Sequence, residues 1–262
     1  FFVRGVGLAP EDVFTEGAGE EDVVLQHHAD AGAQILDVNA GLPEIDEPAT
    51  LVRLVEDLQG VTTLPLQIDS ADPLAIEAAV RRYPGKPIIN STNGKREVLD
   101  AVLPLARHYG CAIVGLALDE DGIPPTAEGR LAGARRIVEA CEEQGIPRED
   151  VLIDCLTLTV SAQQEQAAET LQAVRYVTEE LGLHTVLGVS NISFGLPNRP
   201  LVTRAFLTEA LNAGLTVPIL NPNQSELMDT VAAHRVLSGE DGGCRAYIDR
   251  FAGWTPPTQD AP

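Results

Sequence analysis

The chain carries few positive charges. Of its 262 residues, 18 are lysine or arginine and 39 are aspartate or glutamate, which gives a formal net charge of −21 at pH 7. A protein that binds the phosphate backbone of nucleic acids needs a basic surface to displace counterions, so this balance argues against a nucleic-acid partner. The two lysines, Lys86 and Lys95, also offer little to a phosphorylated substrate. We expect a soluble protein with an acidic surface.

Long hydrophobic runs and paired cysteines are also absent. No uncharged apolar run reaches about 18 residues, so no membrane span is expected, and no signal peptide is visible. The cysteines are too widely spaced for a zinc or iron–sulfur site: Cys111, Cys141, Cys155 and Cys244. We expect a cytoplasmic protein with reduced thiols that itself binds no metal. The chain begins at Phe1 rather than Met, as an excised piece of a longer protein would.

Nucleotide-binding signatures are missing as well, since no Gly-x-Gly-x-x-Gly follows the first strand and no P-loop occurs. Instead, short apolar runs of strand length alternate with helical patterns. The runs predict strands over 33–39, 64–70, 87–91, 111–118, 151–156, 184–191 and 217–223, with a weaker one over 1–7. The clearest helical patterns cover 20–32, 72–83, 126–145 and 161–182, with Asp72 and Ser161 expected to cap the second and the fourth.

Strands that alternate with single helices indicate parallel βαβ units. Eight such units in a chain of this length favour a single-domain α/β fold, a (β/α)8 TIM barrel over residues 1–253 with a divergent first strand. The alternative is a doubly wound open sheet. The segment 254–262 is rich in proline and polar residues, which predicts a tail or linker.

Polar side chains stand at the ends of the apolar runs. Asp69, Asn90, Asp154 and Asn191 each lie inside or directly after such a run, and in a barrel these strand ends meet at one mouth. Taken singly, each residue could instead cap a helix or form a turn. Together, carboxylates and carboxamides suit a neutral heterocycle with an N–C–N donor edge, because a carboxylate accepts from a ring N–H and an exocyclic amine at once.

Other reactive residue types are expected to be structural. The histidines fall on predicted helices or at strand starts, away from the mouth, where packing or surface roles are typical: His27, His28, His108, His184 and His234. Cys155 follows an apolar strand with no histidine nearby in sequence, so we expect a buried thiol and not a nucleophile. Asp37 is expected to make a buried contact within the barrel.

Several motifs together resemble the pterin-binding methyltransferase family. They are "ILDVNAGLPEIDEP", "LPLQIDS", "PIINSTNG", "LIDCLTLTVSAQQEQ", "TVLGVSNISFGLPNR" and "ILNPN", and the likeness runs from about Gly32 to Ile248. This family includes the folate domain of cobalamin-dependent methionine synthase and methyltetrahydrofolate:corrinoid/iron–sulfur protein methyltransferase. The resemblance implies a barrel that holds methyltetrahydrofolate at its C-terminal mouth. It also implies transfer of the N5-methyl group to or from the cobalt of a corrinoid (cobalamin) on a partner protein or domain.

The resemblance also assigns site residues. It implies that Asp69, Asn90 and Asp154 bind the pterin, and that a mobile Asn191 reaches its N5 region, with Asn191 and Asp69 as the catalytic pair. It places four further residues in the substrate site: Asn39, Gly188, Ser190 and Arg199. Arg199 would either meet the glutamate tail of folate or cap the next helix. A homodimer is a further possibility that the family suggests.

Two departures keep alternatives open. The family opens with a Gly-Glu-Arg-Ile-Asn type of motif, and "FFVRGVGLAPEDVF" in its place lacks the glutamate and asparagine in register. A folate-binding module without turnover is therefore the first alternative. Dihydropteroate synthase, a relative with the same barrel, holds a pyrophosphate with an arginine-bearing loop after the second strand. The corresponding loop here, "AGLPEIDEP" over 40–48, has no arginine, which disfavours that enzyme.

Overall fold

The structure, a computed structural model, describes residues 3–7, 31–41 and 45–255, and for 3–7 it describes the backbone alone. The predicted helix over 20–32, with His27 and His28, lies outside the described residues up to residue 30. Residues 42–44 of the loop after the second strand and residues 256–262 of the predicted tail lie outside them as well.

In the described part of the chain, eight parallel strands form a closed barrel in sequence order. They are β1 Val3–Gly7, β2 Ile35–Asn39, β3 Leu66–Asp69, β4 Ile88–Asn93, β5 Ala112–Leu116, β6 Val151–Asp154, β7 His184–Gly188 and β8 Val217–Ile219. The first strand pairs along its whole length with β2, and it closes the barrel through one pair with β8, Val3 opposite Ile219. The predicted (β/α)8 barrel is confirmed, and the open-sheet alternative is wrong.

Helices follow the strands on the outside of the barrel. Their bounds are α1 Glu47–Val61, α2 Pro73–Val80, α3 Arg96–Tyr109, α4 Ala127–Glu143, α5 Gln166–Tyr176, α6 Arg199–Asn212, α7 Ser225–Leu237 and α8 Arg245–Arg250. Helix α5 continues as a π-helical turn, Val177–Leu181, and ends at Gly182 with φ 65°. Of the helices that the structure describes, none combines the length and the apolar character needed to cross a bilayer.

The two predicted helix caps have opposite outcomes. Asp72 caps α2 as expected, since its carboxylate accepts the N–H of Leu74 at 2.9 Å. The prediction for Ser161 is wrong, because α5 begins at Gln166 and the Ser161 hydroxyl donates instead to the carbonyl of Phe194 at 2.7 Å. A Ser before a helical pattern signals a cap only when the chain is already turning into the helix, and here an intervening loop uses the hydroxyl.

Strand alternation divides the buried residues into two layers. The outward-facing residues of the strands, such as Ile68, Ile89 and Ile153, pack against the helices in the main core. The inward-facing residues form a separate cluster inside the barrel, made of Ile35, Ile88, Val114, Leu152, Val186 and Val217. Burial of each such side chain stabilises the fold by about 1.5–3 kcal/mol. Because the inward-facing cluster is wholly apolar, it forms an apolar floor beneath the mouth of the barrel.

Gly115 on β5 lies where the strand packs closely against helix α4 in the outer layer of the core. A Cβ at this position would lie 2.7 Å from Cγ2 of the wholly buried Ile137 on α4. We predict that Gly115→Ala lowers the free energy of unfolding by about 1–3 kcal/mol through overpacking, measured by urea denaturation.

Gly60 on α1 is the matched control, since nothing lies within 4 Å of its would-be Cβ. Gly60→Ala is expected to be neutral or to stabilise by up to about 1 kcal/mol, because alanine is the better helix former. In an Ile137→Ala background, Gly115→Ala should cost much less. An equal cost in both backgrounds would contradict the proposed clash.

Candidate active site

The residues that end several strands face the interior of the barrel. On β3 the middle residue Ile68 packs outward against the helices, so its neighbours Gln67 and Asp69 point inward. The same alternation, read from the apolar inward residues Ile88 and Leu152, turns Asn90 and Asp154 inward two positions later on β4 and β6. Parallel strands carry their carboxyl ends to the same side. These side chains therefore line one cup at the C-terminal mouth.

Register places three of the predicted site residues side by side. Asn39 lies opposite Asp69, and Asp69 lies opposite Asn90, on adjacent strands. The amide Nδ2 of Asn39 donates to Oδ2 of Asp69 at 3.0 Å and to its backbone carbonyl at 3.2 Å. All three residues are half-buried, as side chains at the rim of a cup would be.

A second carboxylate lies beneath this row. Asp37 is 4% exposed and accepts a hydrogen bond from Gln67 Nε2 at 2.6 Å and one from Asn90 Nδ2 at 3.3 Å. The predicted buried contact of Asp37 within the barrel is thus confirmed. The amide of Asn90 is held by Asp37, so the orientation of one predicted pterin contact depends on a residue one layer below it.

Asp154 is held differently, by the chain that follows it. Its Oδ1 accepts the backbone N–H of Leu156 at 2.7 Å. Leu156 has a φ of 65°, in the left-handed region that residues other than glycine rarely adopt. This turn fixes the carboxylate at the end of β6, which β5 separates from β4 in the closed strand order.

Asn191 differs from the other predicted residues because its side chain is exposed. It lies in the 3-10 turn Val189–Ser193 that follows β7. The side chain folds back over the end of the strand, since a Cβ on Gly188 would lie 3.0 Å from Nδ2 of Asn191. Because Gly188 has no side chain, the Asn191 amide can occupy the space beside it. Among the described hydrogen bonds, none joins Asn191 to Asp69, Asn90 or Asp154.

Arg199 and Ser190 support the loop after β7. The guanidinium of Arg199 donates to the Ser190 carbonyl at 3.1 Å and to Ser193 Oγ at 3.2 Å, and it lies 4.2 Å from the centroid of the Phe194 ring. Of the two expected roles, capping of α6 is wrong, since Arg199 is the first residue of that helix and binds the preceding turn. A contact between Arg199 and a folate tail stays a prediction.

The loops after β6 and β7 are joined to each other. Val160 donates its N–H to the carbonyl of Ile192 at 3.0 Å, and Thr159 and Ser161 both donate to the carbonyl of Phe194 at 2.7 Å. The segment that carries Asn191 is therefore tied to the loop that leaves Asp154.

Burial raises the pKa of the carboxyl groups in the cup. It is the main cause that brings the pKa of Asp37 to about 7, and the charge of Asp69 raises it further while Gln67 and Asn90 lower it. Burial also raises the pKa of Asp154 to about 7, against the opposing effects of the Leu156 N–H and Arg130. For Asp69 burial again raises the pKa, and the Asn39 hydrogen bond lowers it. The site thus holds two carboxyl groups, Asp37 and Asp154, whose pKa lies near neutrality, and a third, Asp69, whose pKa is raised.

The sequence analysis missed two residues that shape the site. Gln67 lies two residues before Asp69, so the period of two in "LQID" places it on the inward face. Arg130 lies on the buried stripe of α4, at helical spacing from Ala127, Leu131 and Ala134. In both cases the signal was a polar residue at a position that periodicity assigns to the interior.

The groups expected to be structural are buried or remote from the cup. Cys155 is wholly buried, and burial is the main cause that raises its thiol pKa, which makes it a poor nucleophile. His108 and His234 lie on α3 and α7, and His184 begins β7. Within 3–7, 31–41 and 45–255, no three His, Cys, Asp or Glu side chains form a group that could hold a metal ion.

These features define a class of protein: a (β/α)8 barrel whose C-terminal mouth is a cup of inward-facing acids and amides over an apolar floor. The chain belongs to the pterin-binding enzyme family, because the model of that family, "Pterin binding enzyme", matches residues 18–221. The family resemblance found in the motifs is thereby confirmed.

Curated relatives and solved structures agree with this placement. The chain is 29% identical over 229 residues to methylcorrinoid:tetrahydrofolate methyltransferase of Eubacterium limosum, covering 85% of this chain and 83% of that protein. It is 30% identical over 230 residues to methionine synthase of Mycobacterium leprae, covering 81% of this chain but 19% of that much longer protein. Yersinia pestis DHPS with a pterine-sulfa conjugate shares the fold, with a TM-score of 0.71, 15% identity and coverage of 91% of this chain and 93% of that one.

The buried carboxyl group of Asp37 predicts a pH-dependent stability. Its pKa rises from 3.8 to about 7 on folding, so the folded protein binds this proton more tightly than the unfolded chain. The contribution to stability is complete below about pH 4 and is lost as the pH rises through 7, by at most about 1.4 kcal/mol per pH unit. In Asp37→Asn, which keeps an acceptor for Gln67, this loss should disappear.

The measurement is urea unfolding of both proteins between pH 4 and pH 8, with the wild type losing stability relative to Asp37→Asn as the pH rises. The control is Asp57→Asn on the exposed face of α1, where Asp57 pairs with the exposed Arg53. A difference between wild type and Asp37→Asn that stays constant with pH would contradict the burial of an ionisable Asp37.

Proposed function

We propose that this protein binds methyltetrahydrofolate in the cup and moves its N5-methyl group to, or from, the cobalt of a corrinoid carried by a partner protein or domain. The single observation that carries the proposal is the inward-facing set of Asp69, Asn90 and Asp154 at one mouth of a pterin-binding family barrel. The relatives in sequence are methyltransferases by name, which supports an enzyme of this class.

The cup suits the edge of a reduced pterin. In this proposal the ionised Asp154 accepts hydrogen bonds from the ring N–H and the exocyclic amine of the pyrimidine ring together. Asn90 supplies a donor and an acceptor to the neighbouring ring positions. Asp69 adds a further polar contact and organises water near N5. Asn39, Gly188 and Ser190 complete the wall.

The methyl transfer is a displacement at carbon. The bond between N5 and the methyl group breaks and its electron pair stays on N5, which takes a proton from solvent. The electron pair of the reduced cobalt on the partner forms the new bond to the methyl carbon. An unprotonated N5 is a poor leaving group, so a proton or a strong hydrogen bond at N5 must develop in the transition state. Asn191, exposed on the turn after β7, is the residue we assign to that contact. In the reverse direction the same contact is released as the methyl group returns to N5.

The same proposal includes a corrinoid-carrying partner, a cytoplasmic location and a possible homodimer. Both substrates are organic or carried by the partner, so this chain supplies no metal ligand. The described cysteines are free thiols, three of them buried, which fits a reducing cytoplasm. A homodimer, which the family suggests, is checked by the molar mass in solution.

Two alternatives to this proposal make different demands on the site. A folate-binding module without turnover would bind methyltetrahydrofolate but transfer nothing. A dihydropteroate synthase-like enzyme would need a cationic pyrophosphate site, and the DHPS structures at 14–18% identity speak for the fold alone. The sequence relatives are methyltransferases, so we place this alternative last.

The direct test mixes the protein with methyltetrahydrofolate and chemically reduced cobalamin and follows methylcobalamin by its absorbance, together with the reverse reaction from methylcobalamin and tetrahydrofolate. Turnover in either direction supports the proposed function. Binding without turnover would support the module instead, and failure to bind methyltetrahydrofolate would remove both.

Asn191 should act on the transfer more than on binding. We predict that Asn191→Ala lowers the rate of methyl transfer by about 100-fold, because its contact forms chiefly in the transition state, and changes the Kd for methyltetrahydrofolate by less than about threefold. Asn212→Ala is the control, since Asn212 ends α6 at the opposite face of the barrel. Equal losses of rate and affinity in Asn191→Ala would refute the assigned role.

Asp154 should make binding depend on pH. Because its pKa is about 7 in the free protein and the pterin needs the ionised form, binding releases a proton below pH 7. The affinity for methyltetrahydrofolate should fall about tenfold for each pH unit below 7 and level off above it, as measured by calorimetry.

In Asp154→Asn the affinity should be roughly 10- to 100-fold weaker at pH 8, as expected for loss of a charge-assisted contact, and its dependence on pH should flatten. Asp100→Asn serves as the control, because Asp100 is exposed and pairs with Arg96 on α3. A pH-independent affinity of the wild-type protein would argue against Asp154 as the ionised acceptor.

A further inference from the structure

Arg130 is a charged residue with no charged partner in contact. Its side chain is wholly buried on α4, and within the part of the chain that the structure describes no carboxylate forms an ion pair with it. Burying a guanidinium is costly unless its donors are satisfied. The role of Arg130 is therefore to be found in the groups that accept its hydrogen bonds.

Every nitrogen of the guanidinium donates to an acceptor near the mouth. Nε donates to the carbonyl of Pro124 at 3.1 Å, and Nη2 donates to Oε1 of Gln166 at 2.5 Å. Nη1 donates to the carbonyls of Cys155 and Leu156 at 2.9 and 3.1 Å, and to Oγ1 of Thr170 at 2.7 Å. Arg130 thus joins the loop after β5, the turn after β6 and the start of α5.

The turn that it holds is the one that fixes Asp154. The carbonyl of Leu156 accepts from Arg130 at 3.1 Å. The Thr170 hydroxyl lies 3.1 Å from the same carbonyl and 2.9 Å from the carbonyl of Gln166, so its one proton is shared between these two acceptors, and its oxygen accepts from Arg130. The N–H of the same residue donates to Oδ1 of Asp154 at 2.7 Å. Leu156 has the unfavourable φ of 65°, and bonds on both sides of it keep it there.

We propose that Arg130 is the positioning residue that, through the Leu156 turn and with Thr170, holds the carboxylate of Asp154 in the orientation that grips the pterin edge. This inference rests on the proposed function for the ligand, and on the described hydrogen bonds for the chain of contacts. Arg130 itself touches neither the cup nor the ligand. Its role differs from that of a core residue because its effect on binding should pass through Asp154 alone.

Few other titratable groups surround Arg130 and Asp154. Burial lowers the pKa of Arg130, and the neighbouring Cys155, Glu169 and Asp154 oppose that effect. Glu169 on α5 is itself engaged, since its carboxylate accepts the N–H of Ala127 at 2.7 Å. Burial raises the pKa of Asp154, and the Leu156 N–H and Arg130 partly offset that rise. Loosening the turn should weaken this offset and raise the pKa of Asp154 further.

A double-mutant cycle tests the inference. Arg130→Lys and Thr170→Val are each made in the wild-type and in the Asp154→Asn background, and the Kd for methyltetrahydrofolate is measured at pH 8. We expect each change to weaken binding three- to tenfold in the wild-type background and less than twofold in Asp154→Asn, because the carboxylate to be positioned is gone. Arg135→Lys, an exposed arginine of the same helix that pairs with Glu180, should change the Kd in neither background.

Equal losses in both backgrounds would overturn the inference and leave Arg130 a structural residue. Thr170→Val is nearly isosteric and leaves the buried guanidinium of Arg130 in place. It therefore tests the positioning role on its own if Arg130→Lys does not fold. A second readout needs no ligand: the carboxyl carbon of Asp154, followed by NMR during a pH titration, should show a higher pKa in Thr170→Val than in the wild type, and an unchanged pKa would also overturn the inference. If the wild-type protein fails to bind methyltetrahydrofolate, the proposed function is lost while this titration still decides the role of the turn.

Discussion

The closed barrel leaves one narrow interior that every inward-facing side chain has to share. Its lower part is apolar, from Ile35 on β2 round to Val217 on β8, and these side chains offer no polar group that could solvate a charge. Any acid that alternation turns inward above this floor is therefore partly stripped of solvent. Asp37, Asp69 and Asp154 all experience this constraint, and burial is the leading cause of the raised pKa of each.

Such acids are poorly solvated acceptors, and among the side chains that the structure describes none of the three forms an ion pair with a cation. Asp37 is offset by the amides of Gln67 and Asn90, and Asp69 by the amide of Asn39, so neutral donors and not salt bridges stabilise the rim. A ligand that brings its own N–H donors supplies what the cup lacks, and one that brings phosphate would add negative charge to a place already short of solvation. The electrostatics of the barrel thus support the proposed neutral heterocycle over a phosphorylated ligand.

Much of this arrangement could be predicted from the sequence, because it rests on a period of two. Each predicted strand contains the observed one except at β4, which continues to Asn93, two residues past the predicted end at 91. Asp69, Asn90 and Asp154 lie where the apolar runs place them. What could not be predicted depends on contacts between distant segments. Ser161 has the sequence of a helix cap, yet the carbonyl of Phe194 on another loop takes its hydroxyl. The hydrogen bonds of Arg130 join segments that no local pattern connects.

The site combines a fixed part and a less constrained part. Asp154 is held by the left-handed turn at Leu156, whereas Asn191 is exposed at the tip of a short 3-10 turn. Recognition gains from rigid acceptors, since a ligand that meets a preformed carboxylate pays no ordering cost there. In the proposed methyl transfer, the contact between Asn191 and N5 of methyltetrahydrofolate is needed only as the charge on N5 changes. Such a contact can form in the transition state, and it does not have to be preformed like the carboxylate of Asp154. The bond from Val160 to Ile192 ties the Asn191 turn to the loop that leaves Asp154, so the two parts of the site are linked through the backbone.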